Sequence, residues 1–172
     1  MLYAIVAMLA IIADQWVKYW CSSTIPWNTA GEKFIPGIIS LVYVKNDGAA
    51  FGILSGGGAR IYFIILTGVF TVLVILALAT NFISNPLGRW SVVMMTAGGL
   101  ANCIDRVIYG YVQDMFKLEL FNFPVFNVAD IFVTCGTFFG AVYYLKYYEQ
   151  YDAKKAEKEP VHGTDHSDGH AE

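Results

Sequence analysis

Charge is what this chain has least of. Only 15% of its 172 residues are Asp, Glu, Lys or Arg and 56% are hydrophobic, against roughly 25% charged in soluble proteins. With a mean hydropathy of +0.51, that scarcity excludes an ordinary soluble domain and points to an integral membrane protein of one domain. The few charges are unevenly spread. From Tyr148 onward there are seven acids and three bases, a net of −4, and before it seven acids and eight bases, a net of +1. The overall −3 therefore belongs to a polar tail. No basic stripe is present, which argues against a nucleic-acid partner. Cysteine is equally sparse. Cys21, Cys103 and Cys135 are scattered with no CxxC, so a zinc site is not indicated and each reads as a small packed hydrophobe.

What the chain does have is four apolar segments, predicted as membrane helices over about residues 1–20, 61–83, 90–109 and 125–148. The second carries no charge from Ile61 to Ile83, and at about 1.5 Å per residue it can cross a hydrocarbon core of roughly 30 Å. The first lacks the charged start and small-residue cleavage site of a removable signal peptide, so it reads as a retained helix. The link over about residues 21–60 contains Ile38-Ile39-Ser40-Leu41-Val42-Tyr43-Val44, which reads as one or two short strands. A small sheet is expected there, on the membrane surface. Residues 149–172 read as a disordered polar tail. His162, His166 and His170 recur every four residues in it. The glycines between them argue against a helical metal face.

Four aspartates interrupt or border these apolar segments: Asp14, Asp105, Asp114 and Asp130. An ionisable group near hydrocarbon costs several kcal/mol, about 2.5–3.5 on the lenient insertion scale, and those retained usually do chemistry or line a pathway. Alternating helix directions puts all four on one side. Asp14 and Asp105 lie near the ends of parallel helices, Asp130 near the start of an antiparallel one, and Asp114 in the loop between. Charge counting does not orient them, since Lys and Arg near helix ends number six on the aspartate side and five opposite.

Asp114 and Asp130 form the pair best suited to catalysis. Two facing carboxylates in a low-dielectric site do not readily both ionise, so one keeps a proton while the other acts as base. That is the aspartic-protease arrangement. Taken singly, either is equally well read as a helix cap or the partner of a base. Asp105, beside Arg106 and three residues after Asn102, reads as support within an ion-pair network, with Gly110 breaking the helix before Asp114. Asp14 and Lys18 at i, i+4 share a helix face, as a local salt bridge or a holder of substrate. Asn46-Asp47-Gly48-Ala49-Ala50-Phe51-Gly52 is strong turn chemistry. Its backbone could also approach an extended peptide, with Asn46 binding main chain and Phe51 packing on lipid or substrate.

These motifs, in this order, resemble the lipoprotein signal peptidases (signal peptidase II) of bacteria. The resemblance covers nearly all of residues 1–148. It rests on Asp14-Gln15-x-x-Lys18, Asn46-x-Gly48-Ala49-Ala50-Phe51, Gly99-x-x-Asn102-x-x-Asp105-Arg106, Val112-x-Asp114 and Phe126-Asn127-x-Ala129-Asp130. It implies an all-α integral membrane protein of four transmembrane helices, with a small extracytoplasmic β-sheet region between helices 1 and 2. It implies a membrane-embedded aspartyl endopeptidase over 1–148 that cuts a prolipoprotein just before a diacylglyceryl-modified cysteine. The partners expected are such prolipoproteins and membrane lipids, with no metal or cofactor, and the expected inhibitor is the cyclic peptide globomycin. Asp114 and Asp130 occupy the family's dyad positions. Asp14, Lys18, Asn46, Gly48, Phe51, Asn102, Asp105, Arg106, Asn127 and Ala129 match positions that bind substrate or support the site. Both termini are expected in the cytoplasm and the dyad near the outer face of the cytoplasmic membrane. Ile131 departs from the family, which often has a small polar residue there, and the His-rich tail lies outside the shared region.

Two other classes compete. A proton- or ion-coupled carrier would use the aspartates as a relay, but a relay distributes acids through the membrane's depth, and here they gather at one face. A scaffold protein would use Ala97-Gly98-Gly99 and Gly136/Gly140 as packing faces.

Overall fold

The computed structural model describes residues 1–29, 31–48 and 58–158. Within these, the chain forms α1 (Leu2–Thr24), β1 (Glu32–Ile35), β2 (Ile39–Asn46), α2 (Ala59–Ala79), α3 (Pro86–Ile108), β3 (Val112–Leu118) and α4 (Val128–Lys158).

The sequence explains where the helices stop. Pro26 follows Ile25, which is already extended at the end of α1, because a proline disfavours helix at the residue before it. Asn85 begins α3: its side chain accepts from the Leu87 N–H, with Pro86 at the first helical position, the favoured order for a helix start. Gly110, at φ +88°, takes the chain out of α3 in a conformation that favours glycine.

Among the described residues, three helices are long and apolar enough to cross a membrane: Leu2–Thr24, Ala59–Ala79 and Val128–Tyr147. The fourth, α3, is as long as α1 but less apolar. It is the central helix and packs against α1, α2 and α4. Apart from Val93, its buried residues are small or polar: Gly88, Ser91, Ala97, Gly98, Ala101 and Asp105. Helix contacts within a bilayer favour such residues because they let backbones approach. A Cβ on Gly98 would lie 2.4 Å from the Ala129 carbonyl oxygen, and one on Gly136 would lie 2.8 Å from that of Ser91. These contacts fix α3 on α4 close to where Asn102 meets Asp130.

The three strands form one antiparallel sheet in the order β1-β2-β3. This corrects two expectations. The sheet does not come only from the link between the first two helices, and Asp114 lies on a strand rather than in a loop. β3 was hard to read because Val112, Gln113, Asp114 and Met115 are all buried, so no apolar-in, polar-out alternation marks it. Met115 joins Cys21, Ile25 and Leu41 in a small core that seats the sheet on the end of α1. The last helix also runs to Lys158, ten residues beyond the expected boundary at 148. The rest of the expected tail, 159–172, lies outside the described residues, as does Phe51.

Candidate active site

The buried face of α1 is a stripe of Ala10, Asp14, Lys18 and Cys21, at the spacing of one helix face. Its middle is charged, while Leu9, Ile12, Trp16 and Tyr19 point outward. Lys18 is 1% exposed, and each of its three ammonium protons has an acceptor. They are Asp14 Oδ2 at 2.7 Å, Asp105 Oδ2 at 3.0 Å and Asn102 Oδ1 at 2.8 Å. The local pair expected between Asp14 and Lys18 is therefore present, and it is joined by Asp105, which pairs with Lys18 rather than with its neighbour Arg106. Gln15 Nε2 ties the two carboxylates together, donating to Asp105 Oδ1 at 2.9 Å and Asp14 Oδ2 at 3.3 Å. Backbone donors complete the cluster. Asp14 Oδ1 accepts from the Ala129 N–H at 2.7 Å, and Asp105 Oδ2 accepts from the Gln113 N–H at 3.0 Å. Ala129 thus contributes its backbone at the start of α4, where a helix end favours an anion.

Asp114 and Asp130 sit in front of this cluster and are held by amides. Asp114 Oδ1 accepts from Asn127 Nδ2 at 2.7 Å, and its Oδ2 accepts from Asn46 Nδ2 at 2.9 Å. Asp130 Oδ1 accepts from Asn102 Nδ2 at 2.9 Å, and its Oδ2 from the Asn127 N–H at 3.1 Å. Sheet register makes the Asn46 contact. Val44 opposes Asp114 and Asn46 opposes Val112, so Asn46 reaches Asp114 along the diagonal that long side chains can span. Its own Oδ1 accepts from the Gly48 N–H at 3.0 Å, so the side chain expected to bind a peptide backbone is engaged by its own turn and by Asp114. Burial pushes the Asp114 carboxyl up to about 7. The Asp130 charge adds to this, and the hydrogen bonds from Asn46 and Asn127 oppose it.

Both aspartates line a cleft of about 640 Å³. Its lining includes the polar residues Asn46, Asn102, Arg106 and Thr67 and the apolar residues Phe63, Val133 and Phe126. Arg106 donates through Nη2 to the Gly48 carbonyl at 2.9 Å and stacks its guanidinium 4.5 Å from the Phe63 ring centroid. Among the described residues, no group of three His, Cys, Asp or Glu side chains is arranged to hold a metal. The sequence did not single out Gln113, Phe63 or Thr67. Gln113 acts through its backbone, which no residue pattern marks, and Phe63 and Thr67 carry no charge to stand out in the apolar run of α2.

A model of the family described as signal peptidase (SPase) II matches residues 6–146. The chain belongs to the signal peptidase II family. Curated relatives named lipoprotein signal peptidase agree over most of their length. That of Latilactobacillus sakei is 40% identical over 136 residues, covering 79% of this chain and 88% of the relative. That of Streptococcus thermophilus is 42% identical over 132 residues, covering 76% and 84%. That of Enterococcus faecalis is 35% identical over 162 residues, covering 94% and 95%. Two solved structures described as bacterial membrane enzymes, determined by the in meso method, superpose at TM-scores of 0.77 and 0.74. Each is 30% identical to this chain and covers 84% of it, and the chain covers 87% and 92% of them. With signal peptidase II membership and these apolar helices, the chain is an integral membrane peptidase of the bacterial cell membrane.

Proposed function

We propose that this signal peptidase II cleaves prolipoproteins with an aspartyl dyad of Asp114 and Asp130, cutting before a diacylglyceryl-modified cysteine. One observation carries this reading: two carboxylates meet in one cleft with only amide donors on their oxygens. No lysine or arginine neutralises either by direct contact among the described residues, so one proton can be kept between them. The ionised member takes a proton from a water, which attacks the scissile carbonyl while the protonated member donates to the carbonyl oxygen. Collapse of the tetrahedral intermediate returns a proton to the leaving amine and restores the singly protonated dyad. Asp14, Lys18, Asp105, Asn102 and Asn127 brace this geometry. Arg106 holds Gly48, and through it the end of β2, over the cleft.

A lipid-modified substrate, which the family resemblance implies, fits a dyad placed at the membrane interface. The acyl chains of the substrate cysteine stay in hydrocarbon while its peptide bond lies at the interface. A cleft lined by apolar residues of both α2 and α4, among them Phe63 and Val133, can admit both from the side. All four helices cross the bilayer in this reading, α3 among them because its neighbours cover its small and polar residues. Four crossings leave both termini on one side, and taking that side as the cytoplasm, as the family resemblance implies, puts the sheet and dyad at the outer face. Globomycin is expected to compete for the same cleft.

The test is cleavage of a diacylglyceryl-modified prolipoprotein in nanodiscs by wild type, Asp114→Asn and Asp130→Asn, each first shown to fold. EDTA and an unlipidated substrate serve as controls. Cleavage by wild type alone, indifferent to chelator and dependent on lipidation, is the expected result. Full activity in either folded variant removes that residue from the chemistry.

A further inference from the structure

Asn127 touches both halves of the dyad with one side chain. It precedes α4 and caps it: Oδ1 accepts from the Asp130 N–H at 2.9 Å, while Asp130 Oδ2 accepts from the Asn127 N–H at 3.1 Å. This reciprocal pair is the capping box, with aspartate in place of the usual glutamate or glutamine. The other end of the amide leaves the helix. Nδ2 donates to Asp114 Oδ1 at 2.7 Å and to Asn102 Oδ1 at 3.0 Å. Chemistry fixes the direction of this amide, because the Asp130 N–H needs an acceptor and the Asp114 carboxylate needs a donor. Asn127 is fully buried, so neither end can exchange its partner for water.

We propose that Asn127 is a positioning residue with a divided side chain, whose Oδ1 fixes Asp130 through the start of α4 and whose Nδ2 holds the Asp114 carboxylate in register with it. The inference rests on the dyad reading above and deepens it. A helix cap alone does not require asparagine, since serine, aspartate and asparagine cap about equally well. Only an amide both caps α4 and donates to the opposite carboxylate. The charged groups around Asp114 are Lys18 of α1, Arg106 of α3 and Asp130 of α4. Asp14 and Asp105 stand behind Lys18. β2 brings the neutral Asn46, and α2 lines the cleft with Phe63 and Thr67. Of the two amides on Asp114, Asn127 alone is also tied to Asp130.

The two ends separate by substitution. Asn127→Ser keeps a capping oxygen and loses the donor, while Asn102 stays oriented by Lys18. Asn127→Ala loses both. The full-length enzyme in nanodiscs is assayed on one lipidated prolipoprotein, with Asp114→Asn alongside, for kcat, KM, the pH profile and thermal unfolding. Asn127→Ser is expected to unfold close to wild type, with kcat about 10–100-fold lower and KM little changed, the loss of one hydrogen bond to a charged group. Its alkaline limb is expected to move up by about one pH unit, because a donor that favours ionised Asp114 is gone. Asn127→Ala is expected to lose the same activity and also to unfold at lower temperature. Wild-type kcat and pH profile in Asn127→Ser would overturn the proposal. So would an unfolding temperature as low as that of Asn127→Ala, or lower activity with an unmoved pH profile, each of which makes the residue structural only. Activity in folded Asp114→Asn would instead remove the dyad reading, and this proposal with it.

Discussion

Two pairs of aspartates lie side by side in this protein, and their surroundings differ in kind. Asp14 and Asp105 share one lysine, whose three protons are all used, and their remaining lone pairs meet backbone N–H groups and Gln15. Asp114 and Asp130 are held by amide donors alone. Residue type is constant across the comparison, so compensation makes the difference. A carboxylate paired with a buried ammonium is held in place by its counter-charge and serves as a brace. A carboxylate bound to neutral amides is oriented without being neutralised, and it remains able to gain and lose a proton at its neighbour's expense.

The strongest way to break the contrast is to neutralise one amide-held carboxylate. Asp114→Asn or Asp130→Asn should lower kcat by about 10²–10⁴-fold or more, the range for losing a general acid or base. Each variant should still fold, with the hydrogen bond at the replaced oxygen lost, as thermal unfolding will show. Next comes the ammonium. Lys18→Met strands two buried carboxylates and should cost about 3–5 kcal/mol of stability, measured by denaturation in detergent micelles. Adding Asp14→Asn should recover part of that loss, and no recovery would mean that the cluster is not held by charge. Gly98→Ala, which leaves every charge in place, should cost about 1–3 kcal/mol by forcing α3 off the Ala129 carbonyl, with activity falling in parallel. The mildest test is pH. A raised carboxyl keeps its proton to higher pH, so the singly protonated dyad should persist toward neutrality. As pH rises through about 7, where Asp114 releases its proton, kcat/KM should fall tenfold per unit. A profile flat to pH 9 would show that Asp114 does not hold the working proton.

Much of this was legible in the sequence. Helix order and parity were enough to gather four distant aspartates at one end, because charges in apolar segments are rare and stand out. The i, i+4 spacing of Asp14 and Lys18 was enough to pair them. The attachment of Asp105 to Lys18 was not legible, because it depends on how α1 and α3 rotate against each other, which the small residues of α3 decide. The strand carrying Asp114 was hidden for a related reason. Gln113 and Asp114 are polar yet buried, so their burial erased the pattern by which a strand is recognised. The dual role of Asn127 needed both the cap and the sheet in place.

The Asp14–Lys18 pair also bears on how the protein is made. Both residues sit within one helix, four positions apart, so their charges can cancel before any other helix exists. Asp105 and the Ala129 N–H emerge from the ribosome more than 80 residues later. The first helix is thus expected to carry its own counter-ion into the bilayer before the partners that complete the back wall of the site are made. Lys18 is in this sense a travelling companion first and a keystone later, and Lys18→Met should impair membrane insertion of α1 even in a chain truncated before α2, as a glycosylation-site insertion assay would report.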